Sequence, residues 1–504
     1  MEVWKGYMEK TKGVHLYVSI KNLMDVIKQE EEKDDDLKRT LHRLQTYFVG
    51  HSKLIKQYGA KVEKYTGGRS HIVFELNDDS DMTYETILEA TVACFIFNNK
   101  IFNNLSKYAS YPSFGVHAGM DYGDYFDYYI DDNINAEEYT TIGGVANNSA
   151  KIQSYALKDY IYITQKFMDE LSSELKEKFI ELTEEEKEDF SEKIRSKRFY
   201  KAHYKEIFDQ DFMEEIEEGL DDVKKRVEDE SKSLNLSDIT FESCTKQLSF
   251  DGLSLKGKNK RIEEGGVICA DIRGFTRLFY INDQNLDDLK DVMGKIYDIM
   301  GSVINDTEGT KVQYQGDRIV AVYNDFSGGE DAIVRMLKAA FTLNSKIQEL
   351  NDDEEVQEKL NNKKISIGIG CSLGKIIATR LGLNGNKHNM VLSESYKRAN
   401  KCEDEYAESN EVVIWKHLKE EIDNKADETE DPKYLALQEL FTSINKTGYY
   451  KSTATIEEYE EKVTQKEELA NKASKVFNAN VLKSSTGRLS NINVNPWGID
   501  YDRV

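Results

Sequence analysis

Two apolar segments in the second half of the sequence predict neighbouring strands that each end near a carboxylate. Residues 266–270 form an unbroken run of glycine and apolar side chains that leads into Asp271, which predicts a buried strand. Residues 310–323 contain two β-prone segments around Gly316 and Asp317, which predicts a hairpin with a tight turn. If the hairpin lies beside the first strand, Asp317 comes next to Asp271.

The same order of patterns occurs once more, nearer the start of the chain. Strand and hairpin patterns at 13–23, 61–74 and 113–120 match those at 266–275, 310–323 and 365–372. Helix-periodic segments follow the first strand and the hairpin of each copy, at 37–58, 84–105, 283–305 and 329–350. The order β-α-β-β-α-β therefore appears twice, as in ferredoxin-like sheets, and predicts an α+β protein built as a tandem repeat.

Composition shifts suggest where the copies begin and end. Residues 1–205 form the first predicted domain, with 198–204 as its closing strand, and 206–263 are predicted to be an acidic, solvated helical linker. Residues 264–420 form the second predicted domain. The remaining residues, 421–504, are an extension with a helix-prone stretch at 456–477 and no assigned function.

Charge and cysteine content exclude several classes of protein. A net charge of −24 argues against nucleic acid or an anionic membrane as the main partner. The five cysteines are scattered and lack CxxC spacing, which argues against a disulfide framework or a zinc site and suits a reducing compartment. The apolar runs are too short to span a bilayer and the N-terminus lacks a signal-peptide core, so we expect a cytoplasmic protein without membrane insertion.

The two aspartates suggest metal chemistry. Two carboxylates held this close repel each other unless cations lie between them, and hard divalent ions prefer oxygen ligands. Asp271 and Asp317 therefore predict a two-metal site that could hold a triphosphate. The alternative is that Asp271 is an ordinary strand-end residue and Asp317 an ordinary turn residue.

The sequence Asp-Ile-Arg-Gly-Phe-Thr at 271–276, followed by Gly316-Asp317, resembles the metal-binding half of class III nucleotidyl cyclases. That family converts a nucleoside triphosphate into a 3′,5′-cyclic monophosphate and pyrophosphate. The resemblance implies two divalent cations, Mn²⁺ or Mg²⁺, held by Asp271, Ile272 and Asp317. It also implies four phosphate-binding residues: Gly274, Phe275, Arg380 and Lys387. For Arg380 and Lys387 the alternative is that they are ordinary solvated side chains on the surface.

The two copies differ where the family's chemistry lies. The first copy has Ser19 and Gly68 at the positions of the two aspartates, but it keeps Asn147 and Lys151 where the family has a transition-state Asn and Arg. The second copy has Lys397 at the position of the Asn. Family members dimerise head to tail, so the resemblance implies an intramolecular pseudo-dimer with one live site, one degenerate site that could be regulatory, and further oligomerisation as an open question.

The residues expected to read the base leave the substrate open. The positions that read a purine correspond to Lys64 and Thr140, and the Glu typical of guanylyl cyclases is absent there. Beside Lys64, Tyr65 could narrow the pocket for a smaller ring, and the alternative is that it packs within its hairpin. The pattern resembles the pyrimidine cyclases of bacterial anti-phage defence, which make cyclic UMP or cyclic CMP for a downstream effector. Adenylate cyclase is the second reading, and a non-catalytic nucleotide-binding scaffold is the third.

Overall fold

A computed structural model describes residues 7–31, 37–76, 82–130, 138–274, 286–445 and 447–489. These residues form two mixed sheets with helices packed against them. We refer to residues up to 240 as the first half and to residues from 241 as the second half.

The first half contains an eight-stranded sheet in the order β2-β3-β1-β4-β6-β8-β7, with β5 paired to β4. Its strands are β1 Tyr7–Ile20, β2 Lys61–Thr66, β3 Arg69–Glu75, β4 Val116–Ile130, β5 Glu138–Ile142, β6 Tyr160–Thr164, β7 Ile180–Glu181 and β8 Phe199–His203. Its helices are α1 Leu23–Glu31, α2 Lys38–Gln57, α3 Tyr84–Ile96, α4 Gly144–Tyr155, α5 Gln165–Glu170, α6 Ser173–Lys176, α7 Glu192–Arg195, α8 Gln210–Glu218 and α9 Asp221–Ser233. A π-helical turn, Phe97–Phe102, continues α3.

The second half contains a nine-stranded sheet in the order β11-β12-β10-β13-β15-β17-β16, with β14 paired to β13 and β9 paired to β10. Its strands are β9 Phe241–Ser243, β10 Asn259–Arg273, β11 Thr310–Gln315, β12 Arg318–Tyr323, β13 Ser366–Leu383, β14 Asn386–Leu392, β15 Glu411–Trp415, β16 Thr442–Ser443 and β17 Tyr449–Ser452. Its helices are α10 Leu286–Asp306, α11 Ala332–Glu349, α12 Glu354–Lys359, α13 Glu394–Lys401, α14 Lys416–Thr429, α15 Pro432–Leu440 and α16 Ile456–Leu489. A π-helical turn, Cys402–Tyr406, continues α13.

The repeat expected from the sequence is confirmed by the strand orders. Each sheet places its hairpin at one edge and its first strand between the hairpin and a long strand, and each long strand carries a short antiparallel partner. The predicted closing strand of the first copy is β8, which pairs with β6. The chain is thus an α+β protein in which one topology occurs twice.

Long strands from each half reach into the core of the other. Phe126, Tyr128 and Ile142 of β4 and β5 belong to the hydrophobic core of the second half. In return, Ile377 and Leu381 of β13 are buried in the core of the first half. Burial of apolar surface is the main favourable term in such contacts, so this exchange holds the two halves together.

The prediction of a solvated linker at 206–263 is wrong. Helices α8 and α9 and the turn between them bury five apolar side chains in the core of the first half: Met213, Ile216, Leu220, Val223 and Val227. These residues follow the i, i+3, i+4 spacing of an amphipathic helix, which the surrounding Glu and Lys residues obscure in a reading based on charge. The rest of the stretch joins the second half, because β9 and the start of β10 are strands of its sheet.

Part of the C-terminal extension also belongs to the fold. Strand β17 pairs with β15, and Tyr459 of α16 is buried beside Phe341 of α11. The five cysteines have no disulfide partner, and four of them are buried. Within the described ranges, no helix combines the length and the apolar character needed to cross a membrane.

Candidate active site

The two aspartates lie at the end of adjacent strands in the second half. Strands β10 and β12 are antiparallel, and Asp271 is in register with Arg318, the residue after Asp317. The backbone N–H of Ile272 points to the carbonyl oxygen of Asp317 at 3.4 Å. Gly316 has a φ of +65°, a conformation that favours glycine, so the tight turn predicted from the Gly-Asp pair is present.

Burial and neighbouring negative charges disfavour ionisation of this pair of carboxyl groups. Burial raises the pKa of Asp271 to about 7, and the neighbouring charge of Asp317 adds to the rise. Burial likewise raises the pKa of Asp317 to about 6, with a further contribution from Glu403. Burial and a neighbouring negative charge both disfavour the ionised form of a carboxyl group, and a bound cation would favour it.

An ion-pair network behind the aspartates was not found by sequence reasoning. Arg273 contacts Asp271 at 3.2 Å and Glu403 at 2.6 Å, and it also donates to the backbone carbonyls of Glu403 and Ala407. The other carboxylate oxygen of Glu403 lies 3.3 Å from Arg318. This network fixes the strand ends that carry the aspartates. Glu403 lies on the π-helical turn far along the chain, and nothing in its local sequence marks it.

The aspartates suit a divalent cation whose coordination is completed by substrate. In the described part of the chain, no group of three or more His, Cys, Asp and Glu side chains converges to hold a metal by itself. Mg²⁺ is commonly held by one or two carboxylates together with substrate phosphates. Asp271 and Asp317 meet that requirement, and Ile272 could add its carbonyl oxygen.

The second half touches the first through the turn that carries Asp317. Gly316 N–H donates to the hydroxyl of Thr140 on β5 at 2.9 Å. Lys64 of β2 donates to the carbonyl oxygen of Tyr314 and lies 3.2 Å from Glu138. Glu138 in turn accepts from the N–H of Tyr314 at 2.8 Å. Lys64 and Thr140 thus meet the main chain of the same hairpin that presents Asp317.

Behind these residues lies a buried carboxylate, Glu63, which sequence reasoning passed over. Its oxygens accept from the hydroxyl of Thr140 at 3.1 Å, and from the N–H and hydroxyl of Thr141 at 3.1 and 2.7 Å. His71 Nδ1 lies 2.5 Å from the same carboxylate. Burial alone would raise the pKa of Glu63, but His71, Lys64 and Thr141 outweigh it and hold that pKa below its usual range.

Residues 258–432 match the family described as adenylate and guanylate cyclase catalytic domain. This region is a class III nucleotidyl cyclase domain. The chain is also 24% identical over 411 residues to a uridylate cyclase of Pseudomonas aeruginosa, with 77% of this chain and 75% of the relative covered.

A solved structure of similar fold extends the likeness to both halves. It is a class III adenylyl cyclase-like ATP-binding protein from Pseudomonas aeruginosa, with a TM-score of 0.67 and 20% identity. The match covers 90% of this chain and 91% of that chain, so the fold likeness includes both sheets. The family match itself concerns residues 258–432, which it identifies as a nucleotide cyclase domain, the catalytic domain of a phosphorus–oxygen lyase.

The cyclase positions Asn147 and Lys151 lie on α4, which begins directly after β5. Asn147 is exposed and Lys151 half-buried. The next residue, Asn148, bonds Asp121 at 2.8 Å and accepts from Lys197 at 3.0 Å, which anchors the helix on its own half. Four-residue spacing places Asn147 and Lys151 on one helical face.

Tyr65 lies in the core of the first half. Its ring stacks on Phe48 with centroids 4.1 Å apart, and its hydroxyl donates to the Phe48 carbonyl at 3.0 Å. Tyr314, at the matching position of the second copy, is equally buried and packs edge-on against Tyr297. This geometry favours the packing alternative for both tyrosines over a role in contacting a base.

The expected phosphate-binding residues are only partly brought together. Gly274 follows β10 with a φ of +76°, and Phe275 lies outside the described residues. Arg380 of β13 is in register with Asn389 of β14, and its guanidinium donates to the Lys387 carbonyl at 3.3 Å. Burial lowers the pKa of His388, and the charges of Lys64 and Arg380 lower it further, so Arg380 and Lys64 lie near the same histidine.

The degenerate positions are unsuited to metal. Ser19 pairs in register with Arg69, and a Cβ at Gly68 would lie 2.8 Å from Leu23 and 3.2 Å from Ile20. Position 68 is therefore surrounded by apolar side chains, whereas the matching position of the second half is the carboxylate of Asp317. In the second half, Lys401 pairs with Glu405 at 3.4 Å on its own helix.

Proposed function

We propose that the chain converts a pyrimidine nucleoside triphosphate into its 3′,5′-cyclic monophosphate and pyrophosphate. UTP is the preferred candidate substrate, and CTP follows it. The observation that carries the proposal is the hydrogen bond from Gly316 N–H to Thr140. It joins the turn that bears Asp317 in one half to the base-reading position in the other. The two halves act as an intramolecular pseudo-dimer with a single composite site.

Each half contributes a different part of the chemistry. Asp271, Asp317 and the Ile272 carbonyl would hold two divalent cations, Mn²⁺ or Mg²⁺, which would make the 3′-hydroxyl more acidic and neutralise charge on the triphosphate. Asn147 orients the ribose, and Lys151 neutralises charge on the α-phosphate oxygens. Gly274, Phe275, Arg380 and Lys387 remain candidates for holding the phosphates.

The reaction is an in-line displacement at the α-phosphorus. The bond from O3′ to the α-phosphorus forms while the bond from that phosphorus to the bridging oxygen of the β-phosphate breaks. The 3′-hydroxyl gives up its proton to solvent water, and pyrophosphate leaves with the electron pair of the broken bond. The cation of Lys151 offsets the negative charge that spreads over the non-bridging oxygens.

Support for a pyrimidine comes from the relative named uridylate cyclase, whose alignment spans 77% of this chain. A cyclic pyrimidine nucleotide would act as a second messenger for an effector in the cytoplasm, as in anti-phage defence. Adenylate cyclase is a second candidate, because Lys64 with Thr140 also suits adenine and the relative of similar fold is named an ATP-binding protein.

The test is to incubate the purified chain with Mn²⁺ and each of ATP, GTP, CTP and UTP, and to resolve the cyclic products by mass. We expect cyclic UMP, and we expect Asp271→Ala and Asp317→Ala to abolish it while the far-UV circular dichroism stays unchanged. Cyclic AMP would instead establish the second candidate. A fully active Asp271→Ala variant would refute the metal site, and the absence of product and pyrophosphate would favour a binding scaffold.

A further inference from the structure

A β-bulge in the first hairpin brings two opposite charges to the base-reading surface. The register between β2 and β3 shifts between Val62 and Lys64, so Glu63 is an extra residue on β2. Bulges redirect side chains, and here both Glu63 and Lys64 reach β5. The second hairpin has a bulge at the same place, but its residues there are Val312 and Gln313. The charged pair therefore belongs to the first half alone.

Glu63 can only accept hydrogen bonds in this setting. Its Oε1 takes the hydroxyl of Thr140 and the N–H of Thr141, and its Oε2 takes the hydroxyl of Thr141. The main-chain N–H of Thr141 is a donor that cannot be reversed. An oxygen must therefore stand at the Oε1 position, where it also receives the single proton of the Thr140 hydroxyl.

Because its proton is donated to Glu63, the Thr140 hydroxyl can act towards other groups only as a hydrogen-bond acceptor. Its hydroxyl oxygen accepts from Gly316 N–H at 2.9 Å, while Lys64 donates to the carbonyl of Tyr314. Across the contact between the halves, Lys64 and Thr140 thus meet one carbonyl and one N–H of the peptide chain, while Lys64 also pairs with Glu138 at 3.2 Å. Uracil presents the same two groups side by side, a C4 carbonyl and an N3–H.

We propose that Glu63 is a specificity-determining residue of the cyclase site, acting through Thr140. By holding the hydroxyl proton, Glu63 makes Thr140 an acceptor, so the bound base must offer an N–H to Thr140 beside an acceptor for Lys64. The base takes the hydrogen bonds that the Tyr314 carbonyl and the Gly316 N–H make in this structure, so the hairpin end shifts from Lys64 and Thr140 when the nucleotide binds and then borders the base instead of touching them. This inference rests on the proposed function, because it explains which edge of the base that site reads.

The experiment compares UTP with 3-methyl-UTP, which lacks the N3–H, and measures kcat/KM and the dissociation constant of each in Mn²⁺. In the wild type we expect a strong preference for UTP. In Thr140→Val the acceptor is gone, so the preference should fall by about tenfold or more, the usual worth of one buried hydrogen bond. Thr141→Val is the matched control, since its hydroxyl bonds the same carboxylate at 2.7 Å but does not meet Gly316.

Two substitutions of Glu63 distinguish its effect on the hydrogen-bond direction of Thr140 from a purely structural contribution to packing. Glu63→Gln keeps an oxygen opposite the Thr141 N–H and should retain the wild-type preference. Glu63→Ala frees the Thr140 hydroxyl to rotate and should lower the preference as Thr140→Val does. A purely structural role would weaken UTP and 3-methyl-UTP by the same factor and leave their ratio unchanged.

Each outcome bears on a different claim. Equal ratios in the wild type, Thr140→Val and Glu63→Ala would overturn the role of Glu63 while leaving a uridylate cyclase in place. Product from a different nucleotide, with none from UTP, would overturn the proposed substrate. If Glu63→Ala does not fold, the comparison of Thr140→Val with Thr141→Val still decides the polarity of Thr140, and the dissociation constants decide it without turnover.

Discussion

Replacing Asp271 with asparagine should stabilise the metal-free protein while it abolishes catalysis. The carboxylate is partly buried, with 27% of its side chain exposed, and the neighbouring charge of Asp317 disfavours its ionisation. Its pKa of about 7 compares with about 3.9 for an unperturbed aspartate, a difference of about 3 units. At about 1.4 kcal/mol per unit, ionising this group costs the fold up to about 4 kcal/mol. An asparagine amide keeps a desolvation cost of about 1–3 kcal/mol, so we expect a net gain of about 1–3 kcal/mol.

The sign of the pH dependence follows from the raised pKa. Between pH 4 and 7 the folded state holds a proton that the unfolded state has lost, so wild-type stability falls as the pH rises through this window. The advantage of Asp271→Asn should therefore be full at pH 8 and should disappear towards pH 4. Urea unfolding in EDTA at pH 8 and pH 5 measures the free energy of unfolding, with the exposed Asp251→Asn as control.

Mn²⁺ provides the second arm of this assay. A cation that binds only the folded state stabilises it in proportion to its affinity, so Mn²⁺ should raise the unfolding midpoint of the wild type and leave that of Asp271→Asn nearly unchanged. An Asp271→Asn variant that is less stable than the wild type at pH 8, or that gains equally from Mn²⁺, would refute the reasoning.

The remaining predictions concern the other half of the site and the fold. Asn147→Ala should lower kcat by about 10²-fold, as loss of one transition-state donor usually does. Lys397→Ala, at the matching position of the second copy, should leave kcat unchanged. Equal losses of kcat in steady-state assays would mean that the second copy, not the first, supplies the transition-state residues. Leu220→Ala should cost about 2–5 kcal/mol in urea unfolding because Leu220 is only 1% exposed in the core, while Leu157→Ala, at 48% exposure, should cost little. A small effect of Leu220→Ala would restore the linker interpretation of residues 206–233.

The repeat and the carboxylate pair could be predicted because both depend on local signals. An unbroken apolar run identifies β10 from neighbouring residues alone, and two β-prone segments around a Gly-Asp turn identify β11 and β12. The adjacency of the strands follows once the hairpin is assumed to lie beside β10. Asp271 and Asp317 needed only that one assumption.

The rest of the site depends on contacts between distant residues. Glu403 reaches Arg273 from 130 positions away, and Glu63 gains its role from a bulge that no composition rule marks. Tyr65 was ambiguous because an aromatic beside Lys64 suits both a pocket and a core, and only the stacking on Phe48 distinguishes them. Helices α8 and α9 were predicted to be part of a solvated linker because their charged residues dominate the composition, although their apolar faces pack into the core of the first half.

The central claim is that each chain holds one nucleotide in a site built from both halves. Isothermal titration with 3′-deoxy-UTP and Mn²⁺ tests it most directly, because this nucleotide lacks the attacking hydroxyl and stays bound without turnover. We predict one nucleotide per chain, and a loss of binding both in Asp317→Ala of the second half and in Lys64→Ala of the first. Two nucleotides per chain, or a loss caused by only one of these substitutions, would contradict the composite site.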